Sequence, residues 1–70
     1  MNQFEIDVQD VINSTNPRVE YEFFNHSLFI LTDNKVSTYD AYEVIDAIKS
    51  RLNVRVQTNR VGQEIYVDFI

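Results

Sequence analysis

Residues 37–53, STYDAYEVIDAIKSRLN, decide how the rest of the chain is read. Ala41, Val44, Ile45, Ile48 and Leu52 recur at three- and four-residue spacing, which draws one apolar stripe along a helix. Ser37 and Asp40 have the spacing of a capping box, and Val36 and Ala41 occupy the staple positions beside it. Asp40 and Glu43 lie near the positive end of the helix dipole, Lys49 and Arg51 near its negative end. Asn53 suits the left-handed turn that stops a helix. The spacing predicts a helix over 38–52.

Working back from Ser37, Asp33-Asn34-Lys35 is a loop, and before it lie two strand patterns. Over Arg18–Asn25, Val19, Tyr21 and Phe23 alternate with Arg18, Glu20, Glu22 and Phe24. Asn25-His26-Ser27 is a polar turn. Over Leu28–Asp33, Leu28, Ile30 and Thr32 alternate with Phe29, Leu31 and Asp33. Both sides of this second strand are largely apolar, so the pattern leaves its inward face open. Together the two make a hairpin.

After Asn53 a second hairpin is expected. Val54 and Val56 alternate with Arg55 and Gln57, the turn falls within Asn59–Gln63 around the single glycine, and Ile65, Val67 and Phe69 alternate with Tyr66 and Asp68. Residues 2–15 fit two templates. Phe4, Val8, Val11 and Ile12 form a helical stripe behind an Asn2–Glu5 cap, whereas Phe4, Ile6 and Val8 alternate as a strand would. The longer helical pattern prevails, and Pro17 ends the element by pushing Asn16 out of helical geometry.

The order is then αββαββ, an α+β domain with a four-stranded antiparallel sheet and both helices on one face. It reads as one αββ unit written twice. Asp10–Asn13 aligns with Glu43–Asp46, Val19 and Tyr21 with Val54 and Val56, and Leu28 and Ile30 with Ile65 and Val67. Two such units would cover each other's apolar faces.

Seventy residues form one domain, residues 1–70, of a size that buries roughly 60% of its unfolded surface. The chain has no cysteine, hence no disulfide and no thiolate metal site. It shows no signal-peptide pattern and no run long enough to span a membrane, so a cytoplasmic location is expected. A net charge of −5 disfavours direct nucleic-acid binding, which needs clustered Lys and Arg.

Catalytic groups are sparse. His26 is the single histidine and sits in a turn, where a solvated side chain is the ordinary state. Ser27 is its neighbour in sequence, which is not the geometry that activates a nucleophile. Glu20, Glu22 and Asp68 share a sheet face and have the chemistry to hold a hard cation, but without the loop that calcium sites use. One glycine excludes a phosphate-cradling loop. No enzymatic activity, cofactor or metal is expected.

Two surfaces remain. One is the acidic series Asp40, Glu43, Asp46 on the central helix, flanked by Tyr39 and Tyr42. Steps of three drift around a helix, so a solvated face is the simpler reading. The other is the sheet face turned away from the helices, with Phe24, Phe29, Leu31 and Tyr66 surrounded by Glu20, Glu22, Asp33, Arg55, Gln57 and Asp68. Open sheet faces usually read polar, and aromatics inside a charged rim have the composition of a binding patch.

These features lead to an acidic protein-binding module whose partner has a basic surface. Size, charge and lack of cysteine are those of small phage-encoded inhibitors of nucleic-acid-handling proteins, anti-CRISPR proteins included, an analogy of composition alone. The alternative is a small homo-oligomeric accessory subunit, such as a homodimer. A small hydrolase or metal-binding protein comes third.

Overall fold

The computed structural model describes residues 2–33 and 35–70; Asn34, expected within the loop before the central helix, lies outside the described residues. The elements are α1 (Gln3–Thr15), β1 (Glu20–Phe24), β2 (Ser27–Leu31), α2 (Thr38–Leu52), β3 (Val56–Val61) and β4 (Glu64–Phe69). The order is the αββαββ expected from the sequence.

Residues 3–15 are helical, which settles the ambiguous N-terminal stretch. Asn2 Oδ1 accepts from the Glu5 N–H at 2.8 Å, and Glu5 Oε1 accepts from the Asn2 N–H at 3.2 Å, a complete capping box. Val8, Val11 and Ile12 are buried on one side of α1, while Ile6, which had supported the strand reading, is exposed. Helix α2 is closed at both ends as its sequence indicates. Ser37 and Asp40 exchange backbone-to-side-chain bonds of 3.2 and 3.0 Å, and Asn53 takes φ 53°, ψ 49°.

The four strands form one antiparallel sheet in the order β1-β2-β4-β3. Leu28 and Ile30 of β2 and Ile65 and Val67 of β4 are fully buried and join the apolar stripes of both helices in a single core. This fixes the inward face of β2. The outer strands contribute less: Tyr21, Phe23 and Val56 are half-buried, because the helix layer is centred over β2 and β4.

The strand limits differ from the sequence reading. β1 and β2 are shorter than Arg18–Asn25 and Leu28–Asp33, since Pro17 and the Thr32–Asp33 exit take the ends out of the ladder. Ser27 belongs to β2 rather than to the turn. Val54 and Arg55 precede β3, and Asn59, Arg60 and Val61, expected in the turn, remain paired in it. Each hairpin turns over two residues, Asn25-His26 and Gly62-Gln63, and each turn opens on a left-handed residue (φ 56° and 62°). Glycine and asparagine take that conformation most readily, so polar residues before Gly62 had no need to leave the strand.

The two αββ units are related through the sheet. Adding 37 to a residue number carries Asn25 to Gly62, Leu28 to Ile65, Phe29 to Tyr66 and Ile30 to Val67. The closing bonds follow the same shift: Thr32 N donates to Gln63 O, and Phe69 N donates to His26 O. By the same shift Val19 corresponds to Val56 and Tyr21 to Thr58, not to Val54 and Val56. The helices match instead at a shift of 33, pairing Val8, Val11 and Ile12 with Ala41, Val44 and Ile45, all buried. The difference is one additional helical turn at the end of α2.

Candidate functional site

Because Leu28, Ile30, Ile65 and Val67 point to the helices, their neighbours along each strand point away. The pairing arranges these outward positions in three rows across β1, β2, β4 and β3. The first row is Phe24, Ser27, Asp68 and Gln57; the second is Glu22, Phe29, Tyr66 and Asn59; the third is Glu20, Leu31, Glu64 and Val61. The face holds four carboxylates and neither lysine nor arginine.

Its apolar part is ordered. Phe29 stacks on Tyr66 with ring centroids 4.5 Å apart and on Phe24 at 5.9 Å, each at an interplanar angle of 25°. Phe24 is 62% exposed, Leu31 43% and Val61 51%. Apolar surface on that scale is uncommon on an open sheet face. The polar groups are also held. Tyr66 Oη donates to Glu64 Oε2 at 3.2 Å, and the Glu64 charge, with partial burial and this bond, lifts the phenol above the ordinary tyrosine value. Ser27 Oγ donates to Asp68 Oδ1.

Phe24, Phe29, Leu31, Tyr66, Glu20, Glu22 and Asp68 therefore come together as the sequence reading anticipated. Glu64, Asn59, Val61 and Ser27 complete the face and were not anticipated, although Glu64 has the parity of Tyr66. Asp33 and Arg55 lie outside the ladder. Asp33 instead caps its own loop, accepting from Lys35 N at 2.7 Å and Val36 N at 2.9 Å. The Val36 N–H, then the Lys35 N–H, hold its carboxyl below the ordinary range.

Asp40, Glu43 and Asp46 lie in the helix layer, on the other side of the sheet, and form no single patch with the aromatic face. Asp40 has a structural task. It completes the α2 cap, accepts from Asn16 Nδ2 at 3.2 Å and lies 4.0 Å from Arg18 Nη2. Hydrogen bonding from the Ser37 N–H is the main reason its carboxyl is held below the ordinary value. Asn16 Nδ2 also reaches Glu43 Oε1 at 3.4 Å, and its Oδ1 accepts from Arg18 N. Buried Asn16 thus ties the end of α1 to the start of α2, a role with no local sequence signal beyond its place before Pro17. Asp46 and Tyr39 are exposed, and Tyr42 packs against the core.

Ser27 does not share a cleft with His26. His26 is exposed in the first turn, at the rim of a cleft of about 210 Å³ floored by Phe4, Phe23 and Phe69. The cleft is lined also by Asn2, Glu5 and Asn25, and the Glu5 carboxylate is engaged there in the α1 cap, accepting from the Asn2 N–H. Ser27 is turned to Asp68 on the sheet face. Among the described residues no three His, Asp or Glu side chains are grouped to hold a metal ion, Glu20, Glu22 and Asp68 included. Among the described residues no helix is long and apolar enough to cross a membrane.

Comparison with protein-family models, with curated proteins and with solved structures finds no match.

Proposed function

We propose that this protein is a non-enzymatic protein-binding module whose outer sheet face docks on a basic region of a larger protein. The observation that carries the reading is the composition of that face: three stacked aromatic rings among four carboxylates, with no lysine or arginine at any of its outward positions. Rigid aromatics supply the anchoring area of interfaces, and surrounding charges steer approach and reject like-charged partners. An inhibitor that occupies the basic, nucleic-acid-binding site of a cytoplasmic enzyme, as small phage-encoded inhibitors such as anti-CRISPR proteins do, is the role this chemistry favours.

The same charge weighs against the homodimer reading, since two copies placed face to face would bring carboxylates against carboxylates.

The test is affinity for a partner captured from cells, measured at low and high salt for Phe29→Ala, Tyr66→Ala and Glu43→Gln. Each aromatic truncation is expected to cost about 2 kcal/mol or more, the range of an interface anchor, and Glu43→Gln much less. Silent aromatic truncations, with binding abolished by Glu43→Gln and by salt, would transfer the role to the acids of α2.

A further inference from the structure

A stack of three rings leaves only some of its π surface open. Phe29, on β2, lies between Phe24 on β1 and Tyr66 on β4 and stacks on both, so it is the least open ring of the three. What remains is the outer face of Phe24, on the edge strand β1, and the face of Tyr66 turned to Asn59 on β3. Each end has carboxylates at hand. Glu22 is two residues from Phe24 on the same side of β1, Asp68 shares the Phe24 row, and Glu64 is bonded to the Tyr66 hydroxyl.

Resting on the docking role proposed above, we infer that the partner presents arginine, not lysine, to this face. A guanidinium lies flat against a ring while its in-plane N–H groups donate to carboxylates beside it. The ends of the stack offer both interactions at once. An ammonium is a strongly hydrated point charge that gains most of what it needs from the carboxylates alone. It would find Glu43 and Asp46 on α2 nearly as good a site as Glu22 or Glu64. A quaternary ammonium is also a poor fit, because it is held by rings that surround it, whereas these rings are stacked on one another.

The probes are two peptides of equal length and charge, one carrying arginines and the other lysines between glycine and serine spacers. Each is titrated into isotope-labelled protein, and amide shifts are followed with the affinity. The arginine peptide should move the signals of Phe24, Phe29, Glu64 and Tyr66 and bind about threefold or more tighter than the lysine peptide. Phe24→Leu, at a position already exposed to solvent, should remove that advantage and leave the lysine peptide unaffected. Equal affinity of the two peptides on the sheet face overturns the arginine inference and leaves the docking role standing. Shifts confined to Glu43, Asp46 and their neighbours, or no shifts with either peptide, overturn both.

Discussion

Phe29 of β2 sits directly opposite Tyr66 of β4, the two rings stacked 4.5 Å apart on the outer face of the sheet. The pair is also the centre of the register that relates the two αββ units, with Leu28 opposite Val67 on one side and Ile30 opposite Ile65 on the other. One cross-strand pair thus joins the halves and forms the middle of the candidate surface. Stacked aromatic pairs contribute about 0.5–1.5 kcal/mol beyond area burial. Phe29→Ala is therefore expected to lower stability modestly, and its binding effect must be read on protein shown to be folded.

The deepest positions lie on the other side of the sheet. Ile45 and Ile48 are buried between α2 and the strands, and truncation of either to alanine should cost about 2–5 kcal/mol. Against a typical total of roughly 5–15 kcal/mol, that removes much of the margin of so small a domain. Thermal unfolding checks it, and two unchanged midpoints would mean that the helix stripe is not the core.

Asn16 tests the tie between the helices. Asn16→Ala removes the donor shared by Asp40 and Glu43 and should cost about 1–3 kcal/mol. Asn16→Asp goes further at neutral pH, because it sets a third carboxylate against two. Its excess penalty over alanine should shrink in acid, as the carboxyls take up protons. Denaturant titrations of both variants at neutral and acid pH would show this; an aspartate as stable as the wild type would remove the network from consideration.

Asp33 and Asp40 both titrate below the ordinary 3.8 because backbone N–H groups stabilise their charged forms. A carboxyl with a lower pKa folded than unfolded contributes its stabilisation fully above the unfolded value and loses it as pH falls through the folded one. The protein should therefore lose stability below about pH 4, and Asp33→Asn with Asp40→Asn should flatten that limb. The comparison is the difference in urea midpoint between wild type and double variant across acid pH. A difference that stays constant would mean the two caps do not govern the acid limb.

Much of this was legible in the sequence for identifiable reasons. α2 announced both its ends because Ser37, Asp40 and Asn53 each have side chains that bond locally, and local bonds are written in local spacing. The N-terminal stretch was ambiguous because Phe4 and Val8 serve both periods; exposed Ile6 supplied the misleading alternation. Asn59 to Val61 looked like a turn by polarity, yet backbone conformation set the turn, and Gly62 alone provides it there. Asn16 stayed hidden because its partners are 24 and 27 residues away. The aromatic stack was half visible. Parity put the rings on one face, but only the register across β1, β2 and β4 brings them into contact.

The oligomeric state separates the two leading readings. A homodimer built on the outer face would bring together two faces that each carry Glu20, Glu22, Glu64 and Asp68, with no cation on either face to answer them. Like charges brought together in a partly desolvated interface oppose association, and salt screens them over about 8–10 Å near physiological ionic strength. The apolar stack pulls the other way. At neutral pH and low salt the charges should win, and sedimentation should give the 8.3 kDa monomer. Neutralising the rim with Glu22→Gln and Glu64→Gln, or raising the salt, should then let the aromatic faces associate, and Phe29→Asp should reverse it. A dimer of the wild type at low salt that Phe29→Asp disperses would show instead that a second copy occupies this face.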